Sequence, residues 1–92
     1  MPLETGEKPN RHASIMAYNI NIGHEIHQEL VKQGRTVAWL SRQLGTSRMA
    51  CYRIFDCYSI DTQLLLRISI LLGRDFFSLY SQGIKEESEK EP

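Results

Sequence analysis

Cysteine is scarce in this chain of 92 residues, and several hallmarks of common protein classes are missing. Two cysteines, Cys51 and Cys57, are too few for a disulfide framework. No apolar run approaches the roughly 20 residues that span a bilayer. The first residues are too polar for a secretory signal peptide. We therefore expect a cytoplasmic protein with no membrane partner.

The sequence also lacks the residue patterns of metal sites and of nucleophilic catalysis. His24 and His27 have no third ligand at a usual spacing, and their segment is not the H-E-x-x-H motif. We expect them to be surface histidines, and Cys51 to be a small buried apolar residue. No nucleophile, base and orienting group can be combined into a catalytic set. The chain is therefore predicted not to be an enzyme and to need neither metal nor cofactor.

Acidic residues are absent from the middle of the chain, although the net charge is zero, with 11 basic and 11 acidic residues. The stretch between Glu29 and Asp56 contains no acidic residue at all. Its basic residues are Lys32, Arg35, Arg42, Arg48 and Arg53. The last residues, from 85 to 92, are mainly acidic. A basic centre and an acidic end thus cancel in the total, and the centre has the charge that suits an anionic partner.

Helical periodicity predicts five short helices, and no segment alternates at period two for long enough to form a strand. Predicted N-caps are Asn21, Thr36, Ser47, Asp61 and Asp75, and glycines that can end helices are Gly34, Gly45 and Gly73. The residues expected to be buried are, helix by helix, Ile22, Ile26, Leu30 and Val31; Val37, Leu40, Ser41 and Leu44; Cys51, Ile54 and Phe55; Leu64, Leu65, Ile68, Leu71 and Leu72; and Phe76, Leu79 and Tyr80. The fold class is therefore all-α.

Composition divides the chain into three regions. Residues 1–20 are predicted to be a flexible N-terminal arm, 21–83 a folded domain, and 84–92 an acidic disordered tail. A unit of about 60 residues buries only about 60% of its unfolded surface, so dimerisation would add to its core.

The connection between the second and third helices, within LSRQLGTSRMACYRIF (40–55), is too short for an antiparallel hairpin. Gly45 ends one helix and Ser47 begins the next, so the two helices are expected to cross steeply, as in a helix-turn-helix. Counted from the first residue of helix two, small Ser41 is fifth, at the crossing, and glycine is ninth, where φ must be positive. Apolar Cys51 and Ile54 are fifteenth and eighteenth, where they fill the space between the helices.

With this pattern the chain resembles the phage-repressor-like helix-turn-helix family. SIDTQLLLRIS (59–69) and RDFFSLYS (74–81) are similar, more narrowly, to the short helix-turn-helix regulators of Bacteroidetes. The resemblance covers about Ile22 to Ser81. Ser41 stands where the family more often has alanine, and Cys51 where it more often has valine or isoleucine. The resemblance implies a compact five-helix, lambda-repressor-like DNA-binding domain in a bacterial regulator of transcription.

The resemblance further implies that helix three, about 47–56, reads the major groove of double-stranded DNA. The base-contacting positions of the family correspond here to Arg48, Met49, Tyr52 and Arg53. Arginine can bind guanine bidentately, and methionine can contact a thymine methyl. The Tyr52 ring could equally pack into the core. Because helix N-termini attract anions, the residues predicted to contact phosphate are Arg35, Thr36 and Ser47.

Helix four has more apolar residues than one buried stripe needs, since Leu66 and Ile70 form a second line. Helix five or the N-terminal arm could cover this line. Alternatively, it could be the seam of a homodimer, which would hold two recognition helices roughly 34 Å apart, about one turn of DNA. The alternative function is a protein-interaction module, antitoxin-like or an adaptor subunit, that uses the same line for an unknown protein partner.

Overall fold

The structure is a computed structural model that describes residues 19–90, and this part of the chain contains five α-helices and no strand. They are α1 (Ile22–Lys32), α2 (Val37–Leu44), α3 (Arg48–Phe55), α4 (Thr62–Leu72) and α5 (Phe77–Lys90). The predicted all-α class is confirmed for these residues, which contain the five predicted helices. None of these helices is long and apolar enough to cross a membrane. The predicted N-terminal arm lies outside the described residues, apart from positions 19 and 20.

The first four helices begin where a side chain can cap them. Each cap side chain accepts a hydrogen bond from one or two backbone N–H groups in the first turn of its helix, groups that have no intrahelical partner. These N-caps are Asn21, Thr36, Ser47 and Asp61, as the sequence predicts. Gly45 and Gly73 end α2 and α4 in the left-handed region, with φ of 68° and 66°. Helix α5 begins at Phe77, two residues beyond its predicted cap Asp75.

Residues Asn21–Phe76 form one compact unit whose core is built from α1 to α4 and Phe76. The largest fully buried side chains are Phe76, Ile22, Ile26, Leu30, Leu40, Ile68 and Cys51. Burial of such a side chain contributes about 1.5–3 kcal/mol. Most predicted core residues are buried or half-buried, but the prediction for Val31 is wrong, since it is 64% exposed. At about 100° per residue, Val31 is roughly 180° around the helix from Ile22, whereas Leu30 is only about 80° away.

The N-terminus of α1 contacts the backbone at the end of α3 directly. The Ile22 N–H donates to the Tyr58 carbonyl at 3.0 Å, and the Gly23 N–H donates to the Cys57 carbonyl at 2.9 Å. A Cβ on Gly23 would lie 2.6 Å from the Cys57 carbonyl oxygen and closer still to the last two carbonyl oxygens of α3. Only glycine therefore allows this approach, a requirement that the sequence analysis did not detect.

The remaining described residues, 19–20 and α5, belong to a second compact unit. Helix α5 has 14 residues and includes 84–90, for which the sequence predicts a disordered tail. Lysine and glutamate are good helix formers. Lys85 also precedes Glu89 by four residues, a spacing at which opposite charges stabilise a helix. A charged composition is thus compatible with a helix here.

Candidate nucleic-acid interface

Helices α2 and α3 are joined by three residues, Gly45–Ser47, and pack against each other. The end of α2 is closed by a hydrogen bond from the Thr46 N–H to the Ser41 carbonyl at 2.9 Å. Ser41 is buried, and its hydroxyl donates to the Ala38 carbonyl at 2.8 Å, so no polar group is left unpaired by its burial. A small residue at this position allows the two helices to pack closely.

Helix α3 has one buried side and one exposed side. Cys51 and Phe55 are buried, against α1 and α2. The four residues predicted to contact bases are all exposed, and they are Arg48, Met49, Tyr52 and Arg53. Residues four positions apart are neighbours on a helix, so these side chains form one continuous surface that spans about one turn. We call it the α3 face.

Tyr52 is anchored and exposed at the same time. Its ring meets the Phe55 ring edge-on, with centroids 5.9 Å apart at 89°. Phe55 in turn stacks on the His27 ring of α1, with centroids 4.4 Å apart at 11°. Tyr52 nevertheless remains 54% exposed. The contact with Phe55 therefore limits the orientations of the tyrosine ring without removing it from the α3 face.

Two of the three predicted phosphate contacts are the N-caps of α2 and α3. The Thr36 hydroxyl accepts from the Trp39 N–H at 3.0 Å, and the Ser47 hydroxyl accepts from the Ala50 N–H at 3.1 Å. Both capping residues are exposed. Because a hydroxyl group has one donor as well as its acceptor sites, each can cap its helix and still donate to an anion.

The third predicted phosphate contact, Arg35, lies just before α2 with its guanidinium over the Trp39 ring. The guanidinium carbon is 4.1 Å from the ring centroid, and Nε donates to the Gln33 side-chain oxygen at 3.3 Å. A cation–π contact at an exposed site contributes about 0.5–1 kcal/mol. The contact between Arg35 and Trp39 was not predicted from the sequence. The four-residue spacing between Arg35 and Trp39 is only a weak signal of a contact, because Arg35 lies outside the helix.

The arginines of the α3 face differ from the basic residues that have structural partners. Within residues 19–90, neither Arg48 nor Arg53 forms an ion pair. Arg74, by contrast, pairs with Glu25 at 3.3 Å and with Glu29 at 3.4 Å. The α3 face therefore retains positive charge that no carboxylate of this part of the chain neutralises.

Arg67 connects α4 to the end of α2. Its Nη2 donates to the Leu44 carbonyl at 3.4 Å, beside the turn at Gly45. A cation near a helix C-terminus is stabilised by the helix dipole. Sequence analysis missed this contact because the two residues are 23 positions apart.

The second apolar line of α4 is exposed in the structure. Leu66 is 45% exposed and Ile70 is 70% exposed.

Neither cysteine forms a disulfide. Cys51 is buried, as predicted, and burial raises the pKa of its thiol, which keeps the group neutral. Within the described residues no three histidine, cysteine, aspartate or glutamate side chains are grouped closely enough to hold a metal ion.

Comparison of the chain with protein-family models, with curated proteins and with solved structures finds no match. A functional conclusion therefore rests on the contacts and charges of the α3 face and of the residues beside it.

Proposed function

We propose that this chain is a sequence-specific DNA-binding regulator of transcription, a bacterial cytoplasmic protein of the phage-repressor-like class. In this proposal α2 and α3 are the helix-turn-helix, and α3 enters the major groove. The observation that carries the proposal is the α3 face. It consists of two arginines that form no ion pair within residues 19–90, a methionine and a tyrosine on one exposed turn, in a stretch without acidic residues.

The dimensions of α3 suit this role. An α-helix with its side chains is about 10–12 Å across, and the major groove is about 12 Å wide, so α3, with its 8 residues, can lie in the groove. Arg48 and Met49 form the first turn, and Tyr52 and Arg53 lie roughly 6 Å further along the axis. Arg48 and Arg53 are the candidates for bidentate contacts to guanine, and Met49 for apolar contact with a thymine methyl.

Contacts with the DNA backbone would fix the orientation of α3 in the groove. Thr36 and Ser47 lie at the N-termini of α2 and α3, and Arg35 precedes α2. Phosphate contacts of this kind carry no sequence information, but they set the register in which a reading helix meets the bases.

One turn of α3 reads only a few base pairs, so a second copy of the chain would increase specificity. We propose a homodimer that uses Leu66 and Ile70 of α4 as its seam and binds a palindromic operator with half-sites roughly 34 Å apart. Binding would act on transcription by occluding a promoter or by recruiting polymerase. A strictly monomeric protein in sedimentation at high concentration, with and without DNA, would contradict the dimer.

The test of DNA binding is the salt dependence of affinity for a random duplex, measured by fluorescence anisotropy. The wild-type protein should show log K falling steeply with log salt, because bound arginines and lysines release counterions. The Arg48→Ala, Arg53→Ala variant should bind more weakly. As a control, Lys32→Ala removes a positive charge of α1 rather than one of the α3 face, and this variant should bind almost as the wild type does.

Sequence specificity requires a second step, selection of preferred duplexes from a randomised pool. An enriched sequence should lose its advantage with the Arg48→Ala, Arg53→Ala variant. If the wild-type protein does not bind DNA even at low salt, the proposal is wrong.

A protein-interaction module is the second candidate, and the exposure of Leu66 and Ile70 favours it. Glutamine at both positions would then abolish the cellular activity of the protein, while alanine at Arg48 and Arg53 would leave that activity intact. For a DNA-binding regulator, alanine at Arg48 and Arg53 should instead abolish that activity, and glutamine at Leu66 and Ile70 should weaken it through loss of the homodimer.

A further inference from the structure

The side chain of Gln33, in the connection between α1 and α2, joins three separate segments. Its Nε2 donates to the Leu72 carbonyl at 2.6 Å and to the Glu29 carboxylate at 2.8 Å. Its amide oxygen accepts from Arg35 Nε at 3.3 Å. Both donors and the acceptor of the amide are thus engaged. Leu72 is the last residue of α4, where helix carbonyls lack intrahelical partners.

These contacts fix the Arg35 guanidinium from two directions. Gln33 holds the Nε edge, and the Trp39 ring covers one face at 4.1 Å. A guanidinium has five N–H donors in a planar fork. Within residues 19–90, the Nη1 and Nη2 groups of Arg35 have no hydrogen-bond partner. The end of the fork that remains accessible is one that can donate two parallel hydrogen bonds to a phosphate.

We propose that Gln33 is a positioning residue for a phosphate contact made by Arg35. The inference rests on the proposed DNA-binding function and adds to it a residue that does not touch DNA. A flexible arginine loses side-chain freedom when it binds, and a fork that is already held loses less. Gln33 also ties this fork to the end of α4, so the orientation of Arg35 depends on how α4 packs.

A purely structural role for Gln33 would have a different signature. If its amide only satisfied the terminal carbonyl of α4, its loss would lower thermal stability without changing the number of phosphates that the folded protein contacts. The slope of log K against log salt reports that number, because each neutralised phosphate of a duplex contributes about −0.9. This slope therefore separates positioning from structural support.

The experiment measures that slope on random duplex DNA for the full chain and four variants. They are Gln33→Met, Arg35→Ala, the double variant, and the control Gln28→Met, which makes the same change at an exposed position of α1. We expect the slope of Gln33→Met to become shallower by up to about 0.9, as for Arg35→Ala. The double variant should match Arg35→Ala alone, and the control should match the wild type.

Circular dichroism identifies the temperature range in which each variant is folded, and binding is compared there. If Gln33→Met does not fold, Gln33→Asn makes the same test, because its shorter side chain cannot reach both the Leu72 carbonyl and Arg35. A wild-type slope in the folded Gln33 variant overturns the inference, as does a wild-type slope in Arg35→Ala, and both leave DNA binding itself intact. Absence of binding by the wild-type protein would instead refute the proposed function and the inference with it.

Discussion

Replacing Gly23 with alanine should destabilise the Asn21–Phe76 unit, although alanine is the better helix former. In an exposed helix this change stabilises by about 1 kcal/mol. At Gly23 the added methyl group meets three carbonyl oxygens, with the Cys57 oxygen at 2.6 Å. Backbone atoms cannot rotate away as a side chain can, so α1 must move away from the end of α3.

The expected magnitude follows from the contacts that this movement disturbs. Overpacking typically costs about 1–3 kcal/mol. The hydrogen bonds from Ile22 to Tyr58 and from Gly23 to Cys57 lengthen as well, and each contributes about 1 kcal/mol. After the gain in helix propensity is subtracted, we expect a net loss of about 2–4 kcal/mol. For a domain of this size, that lowers Tm by roughly 8–32 °C, at about 4–8 °C per kcal/mol.

Thermal unfolding followed by circular dichroism measures this loss, and Gly34→Ala provides a matched glycine control. Gly34 has open space around its Cβ position but a φ of +71°, so alanine there adds backbone strain without a clash. That strain is about 1–2 kcal/mol. If Gly23→Ala unfolds at or above the wild-type temperature, the close approach of α1 to the end of α3 is not as described.

Three further substitutions test other parts of the fold. Phe76→Ala removes a fully buried ring and should cost about 3–5 kcal/mol in denaturant unfolding, close to the entire stability of so small a unit; a loss below 1 kcal/mol would contradict its place in the core. Ser47→Ala should lower stability by about 1 kcal/mol through loss of the α3 cap, whereas Ser47→Asp should preserve the cap and weaken DNA binding by its negative charge; equal DNA affinities of Ser47→Asp and wild type would argue against a phosphate nearby. Burial raises the pKa of the Cys51 thiol, so the folded state holds that proton more tightly than the unfolded state does. The contribution of the neutral thiol to the free energy of unfolding is therefore present at neutral pH and is lost as alkaline pH ionises the thiol. Cys51→Val should therefore unfold with a shallower loss of stability between neutral and alkaline pH, and an unchanged pH profile would refute this.

The parts of the fold that the sequence predicted well are those formed within a few residues of chain. Thr36 and Ser47 each accept a hydrogen bond from an N–H group only three positions further along the chain. Gly45 adopts the positive φ that its place after α2 requires. Burial of Val31, by contrast, was wrongly predicted from its neighbours in the chain. Its position next to Leu30 made it look like part of the apolar stripe, but a rotation of about 100° per residue carries it to the opposite side.

Contacts between distant parts of the chain were not predictable from local pattern. Gln33 donates to a carbonyl 39 positions away, and Arg67 to one 23 positions away. Neither contact has a periodic signature. The need for glycine at position 23 likewise arises only when α3 is folded against it.

The candidate site shows the same division. The exposed residues of α3 could be identified because assigning Cys51 and Phe55 to the core leaves the opposite side for solvent. The Arg35 arrangement could not, because its orientation depends on Trp39 and on a glutamine bonded to the end of α4.

The junction between α1 and the end of α3 is formed by main-chain hydrogen bonds and by the stacking of Phe55 on His27, so the placement of α3 does not depend on its exposed arginines or methionine. No exposed side chain of α3 contributes to the hydrogen bonds of Ile22 and Gly23. Positions 48, 49 and 53 can therefore be randomised together while the scaffold stays the same, which makes the chain suited to a library for retargeting. Sequence divergence among descendants of such a domain would be expected to concentrate at those three positions, with glycine retained at position 23.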